Sequence, residues 1–293
     1  MKIRKSPMER TFEIANILFL LMVCAIMLTP ILHIVAGSLS SKNALTHSRV
    51  GIWPVEWTIE NYKIVFKNTI FWRSFGISVV VVTIGTIVNI LMTVITAYPL
   101  AEKGLKGRRI VMLFIIFTMI FSAPLIPSFL VVKALGLLNT LWALIIPGAL
   151  SAFNMILCLT FFRSLPEELF EAARVDGMNE YRILFRIAIP LSVPILVTLL
   201  LFYAVGHWNS YYTAMLYISD ASLRPLQLFL YSIVALASAS DLQLGNSGDV
   251  LLDTSPQGLQ MATIIVATVP VVLIYPFIQK HFIKGALIGS LKE

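Results

Sequence analysis

Charge is scarce in this sequence. Asp, Glu, Lys and Arg make up 13% of its 293 residues, about half the roughly 25% that soluble chains carry. Six stretches, about 14–36, 75–100, 110–132, 140–162, 190–217 and 259–279, hold none of the four. An ionised group near a bilayer midplane costs at least about 2.5–3.5 kcal/mol, so chains keep one there only for a function. Its absence argues against a transporter that carries its own proton relay or coupling-ion site. It argues equally against an intramembrane hydrolase, since no nucleophile–base pair and no metal-ligand set is present. The phosphate loop G-x-x-x-x-G-K-[S/T] is missing too, so the chain does not hold ATP in that way. Cysteine is nearly absent: Cys24 and Cys158 each lie within an apolar run and read as small buried hydrophobes, not as a disulfide or metal pair. No internal repeat or low-complexity segment stands out.

Apolar residues are what the sequence has in excess, at 58% with a mean hydropathy of +0.87. Runs of about 20 such residues cross the roughly 30 Å of a hydrocarbon core. Their lack of alternation selects helices over a barrel. The six stretches are therefore expected to be six transmembrane helices of an all-α membrane protein, with 1–293 as a single domain. The first run, Ile14 to Val35, exceeds the apolar core of a secretory signal, about 7–15 residues, and is expected to stay as a span.

The net charge of +7 raises nucleic acid as a partner, but the basic residues cluster at span ends, a topology signal instead. The head (1–13), the 101–109 loop, the 163–189 segment and the tail hold 15 of the 22 Lys and Arg residues, against 7 on the other side. The positive-inside rule then places both termini and the 163–189 segment in the cytoplasm. Residues 226–239 are apolar but run only 14 residues. They read as an outer surface helix or a re-entrant one, because a seventh crossing would put the basic tail outside.

The segment from Ser164 to Pro190 has the grammar of a helix, a tight turn and a second helix. Ser164 and Glu167 have capping-box spacing, Pro166 suits a first turn, and Gly177 sits where a helix end wants positive φ. Leu169, Ala172 and Ala173, at i, i+3 and i+4, form an apolar stripe. With no energy source in the chain, this hairpin (164–190) is the one cytoplasmic element built to receive energy from another polypeptide.

The same segment carries a resemblance. Glu171-Ala172-Ala173, three residues to Gly177 and nine more to Ile187-Ala188-Ile189-Pro190 are similar to the EAA loop of ABC importer membrane subunits, EAA-x3-G-x9-I-x-L-P, with Ile189 in place of Leu. Asn61-Tyr62, Ala97-Tyr98, the run Leu135–Thr140, Trp208-Asn209 and the tail from Lys284 to Lys292 resemble MalG-like sugar permeases. The likeness covers roughly 55–293, and Gly206–Asn209 with Leu226-Gln227 look most like the LplC/YtcP-type oligosaccharide permeases, alginate-type importers included. The resemblance implies a type I ABC importer permease fold in a bacterial inner membrane. It implies that Glu171, Ala172, Ala173, Asp176 and Gly177 meet an ATPase subunit. The implied partners are two such ATPases, which would hold ATP and Mg, a second MalG/MalF-like permease that is a different chain, and an extracytoplasmic solute-binding protein. This chain would hold no cofactor and catalyse no reaction. The implied cargo is an oligosaccharide, acidic ones such as alginate or oligogalacturonide included; a non-sugar cargo and a stand-alone channel or facilitator are the alternatives.

Substrate contacts are expected where span five ends, at His207, Trp208, Asn209 and Tyr211. Aromatic rings suit sugar C–H faces and amides suit hydroxyls, but Trp and Tyr also collect at membrane interfaces as anchors. His207 can offer a positive charge to an acidic sugar if protonated, or pack neutral within a hydrogen bond.

Overall fold

Nearly continuous helix follows from sequence runs that offer the backbone no partner but itself within a bilayer. The computed structural model describes residues 7–121, 123–242 and 255–290, and no strand occurs among the described residues. In chain order the α-helices are α1 (Pro7–Ser38), α2 (Lys42–Thr46), α3 (Glu60–Lys67), α4 (Thr69–Ala101), α5 (Arg108–Ile120), α6 (Leu125–Ala134), α7 (Ala152–Ser164), α8 (Glu167–Val175), α9 (Glu180–Ile183), α10 (Ile189–Leu191), α11 (Val193–Trp208), α12 (Tyr212–Tyr217), α13 (Leu226–Leu242) and α14 (Pro256–Ser290). Among the described residues three unbroken helices and three bent pairs are long and apolar enough to cross a membrane, six crossings when each pair counts as one.

The bends have chemical causes. Two 3₁₀ turns (Leu141–Leu144 and Ile146–Gly148) precede α7 at an angle of 53°, where Pro147 withholds a backbone donor. The segment Glu180–Leu191 meets α11 at 82°. Pro190 and Pro194 flank that bend, each removing an i→i−4 bond, and Leu184–Ala188 widens into a π-turn just before it. The sequence places the opening of span five at Pro190 and its end near residue 217. In the structure helix begins ten residues earlier, at Glu180, and α11 stops at Trp208.

Packing divides the chain into two compact units, Met1–Thr69 with Ser232–Val269, and Ile70–Tyr231 with Pro270–Glu293. In the first, α1 exposes apolar side chains on every face, Cys24 among them, so Cys24 is not the buried hydrophobe that the sequence suggests. The end of α1 is tied down by polar groups. Asn61 on α3 is buried, and its amide donates to the carbonyls of Ser38 (3.0 Å) and Ser40 (3.3 Å). The Tyr62 hydroxyl pairs with that of Ser38 at 2.8 Å. Gly258 leaves room for this amide, because a Cβ there would lie 2.8 Å from Asn61 Oδ1, whereas one on Gly37 would displace the Met261 side chain. The family-like Asn61-Tyr62 pair is thus a structural node.

In the second unit, α4, α7 and α11 share a core of Val94, Ala97, Leu100, Met155, Cys158, Leu159, Phe162, Leu199 and Tyr203. Polar residues cross it at helical spacing along α4. The Asn89 amide donates to the Gly148 carbonyl (2.6 Å) and its Oδ1 accepts from His207 Nε2 (2.7 Å). The Thr93 hydroxyl pairs with Tyr203 Oη at 2.7 Å, and Ser151 N–H donates to the same oxygen at 3.4 Å. The backbone groups freed by the break before α7 therefore find partners on α4 and α11. Gly85 lets this happen, since a Cβ there would lie 2.6 Å from His207 Nε2. Gly148 contributes its carbonyl and not its smallness, because nothing lies within 4 Å of where its Cβ would be.

Candidate functional site

The hairpin begins without the expected capping box. Ser164 is the last residue of α7, and its hydroxyl donates back to the Phe161 carbonyl at 2.7 Å. The N-cap of α8 is Pro166, with no side-chain cap. Glu167 and Glu168 in the first turn and Arg174 in the last instead complement the helix dipole. The exit is a full Schellman closure: Met178 N–H reaches the Ala173 carbonyl (3.0 Å) and Gly177 N–H the Arg174 carbonyl (3.0 Å). Gly177 has φ +74°, the left-handed conformation that the sequence position anticipates. Asn179 then caps the next helix, its Oδ1 accepting from Arg182 N–H at 2.9 Å.

Charge pairs fasten this turn to the end of α4. Arg174 spans from Glu180 (Nε, 2.9 Å) to Glu102 (Nη2, 2.9 Å), and Tyr98 donates to the other oxygen of Glu180 at 2.9 Å. Lys103 pairs with Glu167 at 2.6 Å. The hydrogen bonds that Arg174 donates to Glu180 and then to Glu102 raise its pKa, and the Glu167 contact raises that of Lys103. None of these six tethering residues, Tyr98, Glu102, Lys103, Glu167, Arg174 and Glu180, is a fixed position of the EAA pattern. Carboxylate and guanidinium side chains alternating about the turn were the visible signal.

The expected apolar stripe splits in two. Ala173 is buried and faces inward with Ile183, whereas Ala172 is exposed beside Leu169 at 43%. Val175 at 87% and Tyr181 at 76% extend that open surface. Of the sequence-designated residues, Glu171, Ala172, Asp176 and Gly177 are exposed and Ala173 is not. A free face of small and apolar side chains, edged by Glu168 and Glu171, stands on a braced turn.

At the far end of α11 the four designated residues part company. Trp208 is 9% exposed and packs edge-on against Phe75 at 5.8 Å, within a ladder that includes Phe71, Trp72 and Phe229. His207 is half-buried and bonded to Asn89. Asn209 and Tyr211 are exposed. Tyr211 stacks on Tyr231, centroids 5.3 Å apart and planes 21° apart, a partner from α13 that no sequence spacing indicates. Beyond them Asn139, in the left-handed region at φ +57°, accepts from the backbone N–H groups of Ser219 (2.7 Å) and Asp220 (3.1 Å). Asp220 caps the next turn through Ser222 N–H at 2.7 Å, and that bond holds its carboxyl below the usual range.

The profile of the family described as "Binding-protein-dependent transport system inner membrane component" matches residues 89–287, hairpin included. The chain belongs to that family. Among relatives, Protein LplC of Bacillus subtilis (strain 168) is 46% identical over 285 residues, covering 97% of this chain and 95% of its own. The polygalacturonan/rhamnogalacturonan transport system permease protein YtcP of the same organism is 42% identical over 287 residues, covering 97% and 99%. A solved chain of a bacterial ABC transporter involved in the import of the acidic polysaccharide alginate is 33% identical with a TM-score of 0.88, covering 96% of this chain and all of that one. A second alginate transporter chain, 14% identical with a TM-score of 0.59, shares the fold. The resemblance read from Glu171 to Pro190 is borne out, and so is the all-α permease fold. As an inner membrane component of its family the chain is a multi-pass transport subunit.

Proposed function

We propose that this chain passes an oligosaccharide, of the acidic class that includes alginate and oligogalacturonides, from an extracytoplasmic binding protein into the cytoplasm by alternating access. The cargo reading rests on identities of 42–46% across 97% of the chain to LplC and YtcP, the latter named for polygalacturonan transport. The likeness to the alginate importer chain supports the same class. Two ATPase subunits, a second permease and the binding protein complete the assembly, with both termini and the hairpin in the cytoplasm as the basic residues favour.

The observation that carries the mechanism is the braced hairpin. Glu171, Ala172, Asp176 and Gly177 lie on the surface of a turn whose other side is tied to Glu102, Lys103 and Glu180, and Ala173 supports it from within. An ATPase cleft gripping that surface pulls on Glu180–Leu191, which runs directly into the 82° bend and α11. ATP binding in the partner subunits then biases a helix bundle between two arrangements. On the outer side, Asn209 and Tyr211 are the designated residues free to meet sugar; His207 and Trp208 position them from beneath.

The test is uptake of oligogalacturonides and alginate oligomers by the assembly co-purified from native membranes and reconstituted with its binding protein and ATP. ATP-dependent accumulation of an acidic oligomer is expected. Accumulation only of neutral sugars, or transport by the isolated chain without ATPase, would overturn the reading.

A further inference from the structure

The ends of α4, α5, α7 and α8 enclose a cleft of about 200 Å³. Four cations line it, Lys103, Arg108, Arg163 and Arg174, against two carboxylates, Glu102 and Glu167. Both carboxylates are already taken, Glu167 by Lys103 at 2.6 Å and Glu102 by Arg174 at 2.9 Å. Arg163 spends one donor on the Leu100 carbonyl at 3.3 Å. Arg108 is half-buried; its backbone N–H donates to the Leu105 carbonyl at 3.4 Å, but among the described residues its guanidinium makes no hydrogen bond or ion pair. A partly desolvated guanidinium without an acceptor, as at Arg108, is costly, and with the remaining donors of the exposed Arg163 lining the same cleft the pair matches the oxygens of a phosphate.

Place selects the source of that phosphate. Arg108 opens α5 and Arg163 is the penultimate residue of α7, both elements of proposed spans, so the cleft lies where lipid headgroups lie. Just inward, Ile110 at 64% and Leu113 at 63% exposed offer apolar surface for acyl chains. The cleft also touches the hairpin through Glu167 and Arg174. We infer that this cleft binds the phosphate of an anionic phospholipid headgroup, held by Arg108 and Arg163, at the base of the hairpin. The assignment is independent of the cargo.

The probe is phosphatidylglycerol. The assembly is extracted from native membranes into nanodiscs of phosphatidylcholine doped with phosphatidylglycerol, and retained lipid is counted by native mass spectrometry. Wild type is expected to keep phosphatidylglycerol over phosphatidylcholine, less so as salt rises. Arg108→Gln and Arg163→Gln should each lower that retention about fivefold, the scale of one basic residue at an anionic surface. Arg108→Lys should keep most of it, and Arg109→Gln, the next residue of α5 but outside the cleft, all of it. Inorganic phosphate at millimolar levels should fail to displace the lipid. The inference is overturned if wild type does not discriminate the two lipids, or if the two Gln variants retain as much as wild type. It is equally overturned if inorganic phosphate competes fully, or if the variants shed a protein subunit while keeping their lipid, which would make the arginines a protein contact.

Discussion

Gly177 is the residue on which the hairpin turns, and the reason is conformational, not steric. Nothing lies within 4 Å of where its Cβ would be, but its φ is +74°. A β-branched side chain there costs about 1–2 kcal/mol of backbone strain, whereas Asn tolerates the left-handed region. Gly177→Val is therefore expected to uncouple uptake from ATP hydrolysis while the chain still inserts, and Gly177→Asn to keep most of the coupling; equal uptake in both variants would contradict this. Asn61 works by satisfaction of buried groups. Asn61→Ala leaves two carbonyls at the end of α1 unmet and should cost about 1–3 kcal/mol, read as a lower thermal midpoint of the detergent-solubilised assembly. His207 and Gly85 form a coupled pair across α4 and α11. Gly85→Ala should destabilise by about 1–3 kcal/mol through the clash with the imidazole. Combined with His207→Ala it should cost less than the sum of the two, because the clash partner is gone.

At the scale of elements, the hairpin is rigid on one side and open on the other. Arg174 joins α8 to the end of α4 and to α9, and its ion pairs are roughly half exposed, so solvent screening leaves each one modest. Arg174→Leu should cost about 1 kcal/mol of stability but reduce coupling efficiency, the ratio of cargo moved to ATP spent, well before it impairs expression. An unchanged ratio would mean that the tether is incidental. The elbow after α12 carries a pH dependence. The folded-state pKa of Asp220 is depressed, so its cap is present above the ordinary carboxylate range and is lost as pH falls through that lowered value. Amide exchange at Ser222 should accelerate over that acid window, and Asp220→Asn should remove the pH dependence. The Leu135–Thr140 run acquires a role here as well, since Asn139 bonds the first two residues of this elbow.

For the molecule as a whole, motion at the hairpin has a covalent route to the far end of α11. The second arm begins at Glu180, passes the π-turn and the proline-flanked bend at Ser192, and continues as α11 to Trp208. Chain adjacency alone suggests this route; the bend converts it into a lever whose two arms meet at 82°. Straightening helix by replacing Pro190 and Pro194 with Ala together should slow transport while leaving ATPase assembly intact, measured as uptake rate against co-purified subunit.

Composition and the spacing of charges sufficed for an all-α membrane chain, its six apolar stretches and the hairpin with Gly177 at its turn. Each of these follows from rules local along the chain: hydrocarbon thickness, the cost of buried charge, and the backbone freedom of glycine. The motif from Glu171 to Pro190 was legible for the same reason, as a fixed spacing within one segment. The tertiary structure alone decided which polar residues are partners, because Asn89 with His207, Thr93 with Tyr203, Tyr211 with Tyr231 and Arg174 with Glu102 lie many tens of residues apart or on separate helices. It also set Trp208 against Phe75 and His207 against Asn89 while leaving Asn209 and Tyr211 exposed, and it turned Ala173 inward. Periodicity along one helix says which residues share a face, but what that face meets depends on neighbours brought in from elsewhere in the chain.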